Sequence, residues 1–598
     1  MLDDLEPLIR EAMAVWKIPG LAIAVVHRDE PILVRAFGQR DVEADLPVTI
    51  DTQFLLCSVT KSFTATGLAM LADERLLDWG KPVREYLPEF RLHDPVATDR
   101  ITVTDLLCHH SGLPRHDWAW MPGDRSQVQL LAAMQYLEPS RDIRETYQYQ
   151  NLGYMAAGMI AERISGQSWV EFTRARILSP LGMQHTGFST EELEQAADSA
   201  RPYMMQGDER RRSALWPIRA TPAGGINAAI SDMVNYLRFH LANGSFNGVQ
   251  LLSRAGIRTM QTPRVHAGRS EFDEIGDQHY GFGLGCHHYR GERAVGHDGG
   301  WVGWGTRLDM LPDRDLGVVV LTNRTPSPVP QMLCHMVFDR ICEKEQIPWL
   351  ERFKARRPQA LAQLEESREA RKAARKPNTK PSHALADYAG EYAHPGYGRI
   401  AIQVIDEALH WNFRGISGAL LHRHYDVFEV PERTDVLSPD LLAISFGYDR
   451  EGNIDRLSAP FEPLVSDIVF RRQPSGEALD PAFLAACTGT YRSGPQTHVV
   501  ALDVDGQLTL SPSGQPTYRL TPYQGCIFTI TPLDGFRVEF QRGDTQLVEA
   551  IIFHQPNGTF RARREPPPLE GAASESQTGG SQTGGSQTGG TRHERERI

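Results

Sequence analysis

The first residues of the chain alternate between short apolar runs and polar breaks, and this pattern predicts their secondary structure. Residues 5–16 place apolar side chains at helical spacing, which predicts an amphipathic helix. Two apolar runs, 21–26 and 31–38, flank the polar segment 27–30, a pattern typical of a buried antiparallel hairpin. Another helix is expected over about 58–77. The chain therefore enters a packed domain at once.

The middle of the chain is mainly helical in its pattern, and strands return after it. Segment 100–190 has helical periodicity, with one helix expected to end near Gly166. Ser231 is a plausible N-cap for the helix that follows it. Strand signals occupy 279–322 and end on an apolar run at Leu321. Strands at both ends of a helical middle predict one α/β domain whose sheet joins distant segments.

The pattern changes again beyond residue 350. A charged stretch from Glu351 to Lys380, followed by prolines, predicts a helical interdomain linker. Short alternating strands come next, and the openings 388–392 and 487–491 begin two copies of one strand pattern, which predicts two small antiparallel β-barrels. The expected divisions are the α/β domain over 1–350, the linker over 351–381, the barrels over 382–473 and 474–566, and a disordered tail over 567–598.

Composition narrows the class of protein. With 41% apolar and 23% charged residues the chain has the make-up of a globular protein, and a net charge of −12 argues against nucleic-acid partners. No run of about 18 apolar residues occurs, so no membrane-spanning helix is expected. The acidic N-terminus is unlike a signal peptide, which predicts a cytoplasmic protein, or a periplasmic or secreted one if a leader is missing. A homodimer is left open.

The cysteines and histidines offer little sign of a disulfide framework or a metal site. The seven cysteines are odd in number and form no C-x-x-C pair. Three histidine groupings lack carboxylate or cysteine neighbours at supporting spacing, so surface or loop positions are favoured for them, namely 109–110, 287–288 and 422 with 424. No cofactor or metal is therefore expected.

The strongest candidate chemistry lies at Ser58-x-x-Lys61. Residues three apart share a helix face, so the hydroxyl and the amine can lie within hydrogen-bond reach. A half-buried lysine with a lowered pKa could take the serine proton and so activate the nucleophile. Cys57 is a rival thiol nucleophile, although a buried structural thiol is the favoured interpretation.

Two further motifs could complete such a site. Tyr149-x-Asn151 places a phenol and a carboxamide on one side of an extended segment, and a lysine ammonium nearby would lower the pKa of the phenol. His297-Asp298-Gly299 could bring an imidazole and a closely approaching backbone to the opposite edge of the site.

With these three motifs in this order, the chain resembles the serine β-lactamase and penicillin-recognising family, particularly its class C β-lactamase-like branch (peptidase family S12). The resemblance covers roughly residues 5–345 and extends to the stretches 106–113, 180–183 and 222–225. It implies a β-lactamase/transpeptidase-like α/β (α+β) catalytic domain with an antiparallel sheet and a helical subdomain. No G-x-S-x-G elbow is present, which argues against an α/β-hydrolase.

The resemblance also implies a role for each motif residue. Ser58 would be the acylated nucleophile, Lys61 and Tyr149 would share general base and acid work, and Asn151 would hydrogen-bond the substrate amide. The backbone amides of Ser58 and Gly300 would form the oxyanion hole. Water would then hydrolyse the acyl-enzyme.

The third motif departs from the Lys-Thr-Gly of many β-lactamases and carboxypeptidase-like members. His297, with Gly299 two residues on, is expected to be largely neutral at pH 7 and would hold a substrate carboxylate poorly. This form resembles the D-aminopeptidases and D-amino-acid amidases, and the D-aminopeptidases also resemble this chain in having two small β-barrels after the catalytic domain. The leading hypothesis is a D-stereospecific hydrolase of small peptides or amides. The alternatives are an esterase with weak β-lactamase activity and a catalytically silent penicillin-binding-like protein.

Overall fold

A computed structural model describes residues 2 and 4–566 apart from 122, 208, 219–220, 432–441, 475, 534 and 544–546. The tail over 567–598, predicted to be disordered, lies outside the described residues. The chain divides into two compact units after Gln473. The first unit contains the predicted α/β domain and the first predicted barrel.

The helices of the α/β domain follow the predicted pattern closely at the start of the chain and in its middle. They are α1 (Leu5–Val15), α2 (Thr60–Asp73), α3 (Pro95–Arg100), α4 (Val103–Leu107), α5 (Asp117–Trp120), α6 (Gln127–Ala133), α7 (Asn151–Ser165), α8 (Trp169–Thr173), α9 (Thr190–Gln195), α10 (Thr221–Gly224), α11 (Ile230–Leu241), α12 (Arg254–Met260), α13 (Val329–Ile341) and α14 (Trp349–Ala373).

The strands of this domain include the predicted hairpin, β1 with β2, paired antiparallel around residues 28–29. They are β1 (Gly20–His27), β2 (Glu30–Asp41), β3 (Leu46–Pro47), β4 (Gln53–Leu55), β5 (Thr186–Gly187), β6 (Tyr203–Gln206), β7 (Glu209–Arg212), β8 (Asn227–Ala229), β9 (Ser245–Phe246), β10 (Val249–Gln250), β11 (Val265–Arg269), β12 (Asp277–Tyr280), β13 (Gly285–Tyr289), β14 (Glu292–Trp301), β15 (Trp304–Leu311) and β16 (Leu316–Thr322).

Two helix predictions need correction. Helix α2 ends at Asp73 rather than near residue 77, because the backbone turns into a left-handed residue at Arg75. Helix α11 begins at Ile230 with Ala229 as its N-cap, so Ser231 lies inside the first turn. The Ser231 hydroxyl instead donates to Asp51 at 2.8 Å, which fastens this helix to the segment before β4.

The central sheet joins the two ends of the domain, as predicted. Over the described residues its strand order is β11-β12-β13-β14-β15-β16-β1-β2-β3, and β1 pairs with β16 so that Ile23 faces Val320. Alternate residues of β1 belong to two cores, one on each face, which explains why the run 21–26 is apolar without interruption. The sheet therefore holds the site segments against a buried, rigid layer.

The charged helix α14 is partly buried. Trp349, Leu350 and Phe353 in its first two turns pack into the core under the sheet, while most of its later residues are exposed. The apolar start of the helix is therefore tied to the α/β domain.

The first β-domain, which is residues 374–472 here, follows α14 within the same compact unit. Among its described residues one antiparallel sheet runs in the order β20-β19-β18-β17-β25-β24-β23-β22-β21, a nearly closed barrel whose end strands β20 and β21 are not paired with each other. Its elements are α15 (Leu385–Tyr388), β17 (Gly390–His394), β18 (Gly398–Ile405), β19 (Ala408–Phe413), β20 (Ile416–Ala419), β21 (Leu421–His424), β22 (Val427–Glu429), β23 (Ala443–Tyr448), β24 (Ile454–Ala459) and β25 (Ile468–Arg472).

The second β-domain, residues 474–566, is the predicted barrel in closed form. Its strands are joined in a ring in which β26 also pairs with β33. Its elements are α16 (Pro481–Cys487), β26 (Gly489–Ser493), β27 (Gln496–Leu502), β28 (Leu508–Pro512), β29 (Tyr518–Gln524), β30 (Ile527–Thr531), β31 (Arg537–Arg542), β32 (Val548–Gln555) and β33 (Gly558–Arg564). The fold prediction of an α/β domain followed by two barrel-like domains is thus confirmed.

Candidate active site

The structure brings the first two motif residues together at the start of α2. Ser58 lies in a 3-10 turn, Cys57–Val59, that leads directly into α2, rather than in the first turn of the α-helix itself. Lys61 follows three residues later, and its Nζ donates to Ser58 Oγ at 3.1 Å. The predicted serine–lysine pair is therefore in hydrogen-bond contact.

Lys61 has no access to solvent, and its amine is held on every side by acceptors. Its Nζ donates to Asn151 Oδ1 at 2.8 Å and to the Ala223 carbonyl at 2.7 Å, besides Ser58. Burial lowers the pKa of Lys61 well below its usual value, and the positive charge of Arg115 lowers it further. A lysine in this environment can exist as a neutral amine, which keeps its two hydrogens for Asn151 and Ala223 and turns its lone pair to Ser58 Oγ, from which it can accept the proton.

Tyr149 lies beside the same serine, on a loop that precedes α7. Its phenol is hydrogen-bonded to Ser58, and Lys61 Nζ lies 4.8 Å from the centre of its ring. The neighbours of Tyr149 in the chain are both fixed by His109, because Gln148 N–H donates to the His109 carbonyl at 2.8 Å and Gln150 N–H donates to its Nδ1 at 3.0 Å. The phenol is therefore aimed by backbone contacts on both sides.

The protonation state expected for Tyr149 is wrong. A lysine ammonium was expected to lower its pKa, but burial raises the pKa of Tyr149 well above its usual value, and the hydrogen bond with Ser58 opposes this only in part. Since Lys61 is itself driven toward the neutral form, no nearby ammonium offsets the burial. Tyr149 is a neutral phenol in the resting site, which suits a proton donor better than a base.

His109 belongs to the site, although sequence reasoning placed it on a surface or loop. The ring is buried against Tyr149, Tyr154 and Tyr280, with ring centres 4.3, 5.1 and 4.8 Å away. Burial lowers its pKa well below the usual value, so the ring is neutral. The signal that could have found it was its place in the stretch 106–113, which resembles the family.

The third motif forms the opposite wall of the site on β14. Gly299 stacks directly over the serine turn, where an added Cβ would lie 2.3 Å from the Leu56 carbonyl oxygen and 2.2 Å from Thr306 Oγ1. A side chain at this position would push the strand away from Ser58. The glycine of the motif is explained by this close approach.

His297 is buried on the same strand and is neutral at pH 7. Its Nε2 lies 2.8 Å from the Tyr280 hydroxyl, and burial lowers its pKa to about 4. The adjacent Asp298 is different: burial works against its charge, but His297 and Arg307 together bring the pKa of Asp298 below its usual value. The third motif therefore presents a neutral imidazole beside a charged carboxylate.

An open cavity of about 460 Å³ connects these groups. It is lined by residues that include Ser58, Arg115, Tyr149, His297, Asp298 and Gly300. The predicted site residues Lys61 and Asn151 lie behind Ser58, both buried. The structure thus gathers all seven predicted site residues around one cavity, either as lining or as close support.

Cys57 does not compete with Ser58 as a nucleophile in this arrangement. The thiol is buried, its Sγ points to the Leu55 carbonyl at 3.6 Å, and burial raises the pKa of Cys57 far above its usual value. A thiol that cannot ionise is a poor nucleophile. The interpretation as a structural thiol fits these contacts.

Sequence reasoning missed Arg115 and Asp117. The Arg115 guanidinium lies 5.0 Å from the centre of the Tyr149 ring, and its Nε donates to Asp117 Oδ2 at 2.6 Å. Asp117 Oδ1 accepts from Asn151 Nδ2 at 3.1 Å and from Trp120 Nε1 at 3.0 Å. No motif announces these residues, because their link to the site depends on how the loop before α5 folds back.

Comparison with known proteins agrees with this geometry. A family model described as Beta-lactamase matches residues 5–335, which is more than half of the chain. The chain belongs to the beta-lactamase family. A second model, described as a domain of unknown function (DUF3471), matches residues 374–472, the first β-domain.

Several named proteins and solved structures are similar to this chain along much of its length. The unguisins hydrolase ungD' of Aspergillus campestris is 28% identical over 422 residues, covering 67% of this chain and 77% of its own length. Protein flp of Staphylococcus aureus is 23% identical over 344 residues, covering 56% of this chain and 65% of its own. The octameric penicillin-binding protein homologue from Pyrococcus abyssi shares the fold, with a TM-score of 0.52 at 24% identity over 79% of this chain and 100% of its own.

The family assignment establishes the class of enzyme. The chain is a serine hydrolase of the beta-lactamase fold. No helix in the described part of the chain is long and apolar enough to cross a membrane.

Proposed function

We propose that the protein hydrolyses small peptides or amides through an acyl-enzyme on Ser58, as a D-stereospecific aminopeptidase or amidase. The observation that supports this most directly is the buried Lys61 amine 3.1 Å from Ser58 Oγ, with the Tyr149 phenol bonded to the same hydroxyl. One hydroxyl thus meets a proton acceptor and a proton donor, the two partners that amide cleavage requires.

Acylation follows from these contacts. Neutral Lys61 takes the proton of Ser58 as Oγ attacks the substrate carbonyl and a tetrahedral intermediate forms. Tyr149 donates its phenolic proton to the leaving nitrogen as the carbon–nitrogen bond breaks, and the proton held by Lys61 restores the phenol. A water molecule then attacks the acyl-enzyme, with the same two groups moving its protons, and Ser58 is released.

The charge on the intermediate would be held by the backbone amides of Ser58 and Gly300, both of which line the cavity. Preorganised donors of this kind commonly lower a barrier by about 3 kcal/mol. Asn151 works first as a support, because its side chain holds Lys61 through Oδ1 and Asp117 through Nδ2. The second hydrogen of its Nδ2 is the one that could meet a substrate amide.

The preference for an aminopeptidase or amidase rests on the third motif. His297 is buried with its pKa lowered to about 4, so it supplies no positive charge for the carboxylate that a carboxypeptidase or a β-lactam enzyme holds there. Asp298, whose pKa is lowered, lines the cavity and can accept the ammonium of a substrate with a free amino terminus. The preference for the D-configuration is carried by the resemblance of His297-x-Gly299 to D-aminopeptidases.

A panel of D- and L-aminoacyl amides, short p-nitrophenyl esters and a chromogenic cephalosporin tests this proposal, with Ser58→Ala as the blank. Turnover of D-aminoacyl amides well above their L-isomers is the expected result. Activity on the esters with none on the amides would favour an esterase instead. Failure of a fluorophosphonate to label folded wild-type protein at Ser58 would favour a silent penicillin-binding-like protein.

A further inference from the structure

Arg115 has a free face turned to the catalytic cavity. Its Nε is bound to Asp117, but within the described residues its two terminal nitrogens have no hydrogen-bond partner, and its side chain is 55% exposed. Asp117 raises the pKa of Arg115 even though burial works against it, so the guanidinium is charged. A guanidinium with two free nitrogens matches the two oxygens of a carboxylate.

The position of Arg115 defines which part of a substrate it would meet. The guanidinium stacks on the Tyr149 ring, and under the proposed mechanism Tyr149 protonates the leaving group. Arg115 is therefore on the leaving-group side of Ser58. Asp298, which would hold a substrate ammonium, lies on β14 and lines the same cavity. The cavity lining thus contains one positive and one negative group.

The first β-domain forms hydrogen bonds with the loop that carries Arg115. The backbone N–H of His116 donates to Glu462 Oε2 at 2.8 Å, and its ring Nδ1 lies 2.6 Å from the Tyr397 hydroxyl. His116 is fully buried with a φ of +47°, a conformation that a histidine adopts at a cost. These contacts from outside the α/β domain hold it there.

The first β-domain also contacts the residues just after Asp117. The Trp118 ring stacks on Phe461 at 4.9 Å between centres and meets Phe413 edge-on at 5.9 Å. Arg414 donates to the Ala119 carbonyl at 3.0 Å. The segment that bears Arg115 is therefore fixed on both sides of Asp117 by side chains of the first β-domain.

We propose that Arg115 binds the terminal carboxylate of a short peptide substrate on the leaving-group side, and that the first β-domain is the element that positions it. This rests on the proposed function. The substrate class becomes short peptides with a free amino terminus and a free carboxylate close after the scissile bond. The first β-domain itself contributes no residue to the described lining of the cavity, and it acts through the loop.

The decisive experiment compares D-alanyl-glycine with its C-terminal amide. For the wild type we expect the acid to be cleaved with the higher kcat/KM. In Arg115→Gln the ratio of acid to amide should fall by about 10- to 100-fold, the range of a charge-assisted hydrogen-bonded pair. Arg115→Lys should recover part of the ratio, since it restores the charge without the fork. An unchanged ratio in Arg115→Gln overturns the proposal.

Binding to a non-turnover background separates this proposal from the proposed function. Calorimetry with Ser58→Ala should show tighter binding of the acid than of the amide, and Ser58→Ala/Arg115→Gln should lose that difference. Equal binding of the two by Ser58→Ala contradicts carboxylate recognition whatever the catalytic activity. If the wild type is not labelled by a fluorophosphonate or does not turn over peptides, the proposed function is contradicted, but carboxylate binding by Arg115 is not.

The positioning role has its own test. Glu462→Ala and Tyr397→Phe remove contacts to His116 from the first β-domain, and both should raise KM for the acid more than for the amide. Glu462→Gln, which keeps an acceptor for the His116 N–H, should restore the ratio. Glu391→Ala, an exposed change in the same domain, is the matched control and should leave the ratio as it is. A normal ratio in Glu462→Ala with intact labelling overturns the positioning role.

Discussion

The two β-domains share one structural device and differ in what surrounds it. In the first, the Arg472 guanidinium donates to the carbonyls of Asp387, Ala389 and Ile454. In the second, Arg564 donates to the carbonyls at the matching places, Ala486, Thr488 and Val548. In each, a glycine with φ near +150°, Gly390 or Gly489, leaves room for that guanidinium. The repeat seen in the sequence therefore includes a repeated contact, here called the arginine lock, in which an arginine on the last strand donates to backbone carbonyls next to the first strand.

Outside this lock the two domains use their aromatic residues differently. Phe413 and Phe461 of the first β-domain pack against Trp118 of the α/β domain. Phe528 and Phe540 of the second pack on Phe483 and on each other inside the closed barrel. The first β-domain thus packs against the segment that carries Arg115 and Trp118, while the aromatic residues of the second β-domain fill its own core. Two β-domains built on the same scaffold therefore differ in what their aromatic residues pack against.

The roles of the two β-domains can be compared only through hydrolytic activity, and the largest loss of that activity is expected on removing Ser58. We expect Ser58→Ala to lower kcat by at least about 10³-fold, because the neighbouring Cys57 thiol is buried with a raised pKa and is a poor substitute nucleophile. Steady-state hydrolysis of a D-aminoacyl amide measures this. The circular dichroism spectrum serves as the folding control. Residual turnover within tenfold of wild type would move the nucleophile elsewhere.

Tyr149→Phe should have the next largest effect. The variant keeps the ring that stacks under Arg115 but loses the proton donor, so kcat should fall about 10²- to 10⁴-fold while KM changes little. An ester with a good leaving group should be less affected than an amide, since it needs less protonation. Equal loss on both substrates would argue against Tyr149 as the acid.

Much of this site was predictable from the sequence, and the missing parts share a physical reason. Ser58 and Lys61 are three residues apart, so helical geometry alone joins them, and Gly299 reports a close backbone approach. Arg115 carries no such local signal, and His109 could be found only through its place in the stretch 106–113. Arg115 reaches the cavity because Trp118 is buried by a domain some 300 residues further along the chain, a contact that no local pattern encodes.

The protonation states were harder to predict than the positions. A lysine beside a tyrosine suggests a lowered phenol pKa when both are imagined in water. In the structure Lys61 is fully buried and Tyr149 half-buried, so desolvation dominates: it lowers the pKa of Lys61 and raises that of Tyr149. Burial depends on the whole fold. The incomplete closure of the first β-domain, in which β20 and β21 do not pair with each other, is likewise a property of the assembled sheet.

Matched mutations of Arg472 and Arg564 test whether the two β-domains differ in function. Arg472→Ala and Arg564→Ala each remove three hydrogen bonds to backbone carbonyls, so each should lower stability by on the order of 2–3 kcal/mol in its own domain. Arg472→Ala should also raise KM for the acid dipeptide several-fold, whereas Arg564→Ala should leave it unchanged. Thermal unfolding and steady-state kinetics on both variants measure the two effects. Equal kinetic loss in both would erase the functional difference between the domains.

The smallest expected effect is a shift in the pH dependence of kcat/KM, caused by the positive charge of Arg115 near Lys61. The groups that act on Lys61 are Arg115, Asp117, Asp298 and Cys57, and of these Arg115 lowers its pKa. Under the proposed mechanism neutral Lys61 is the active form, so kcat/KM rises with pH and is lost as pH falls through the pKa of Lys61. Removing the charge in Arg115→Gln raises that pKa, and the acid limb should move to higher pH.

The shift is measured with an uncharged ester, so that binding of a carboxylate does not enter. His297 cannot produce this limb near neutrality, because its pKa is lowered to about 4. Arg564→Ala in the second β-domain supplies the control and should keep the wild-type limb. A limb that stays in place or moves to lower pH in Arg115→Gln would mean that the loop held by the first β-domain does not tune the base, and its part in catalysis would reduce to substrate binding.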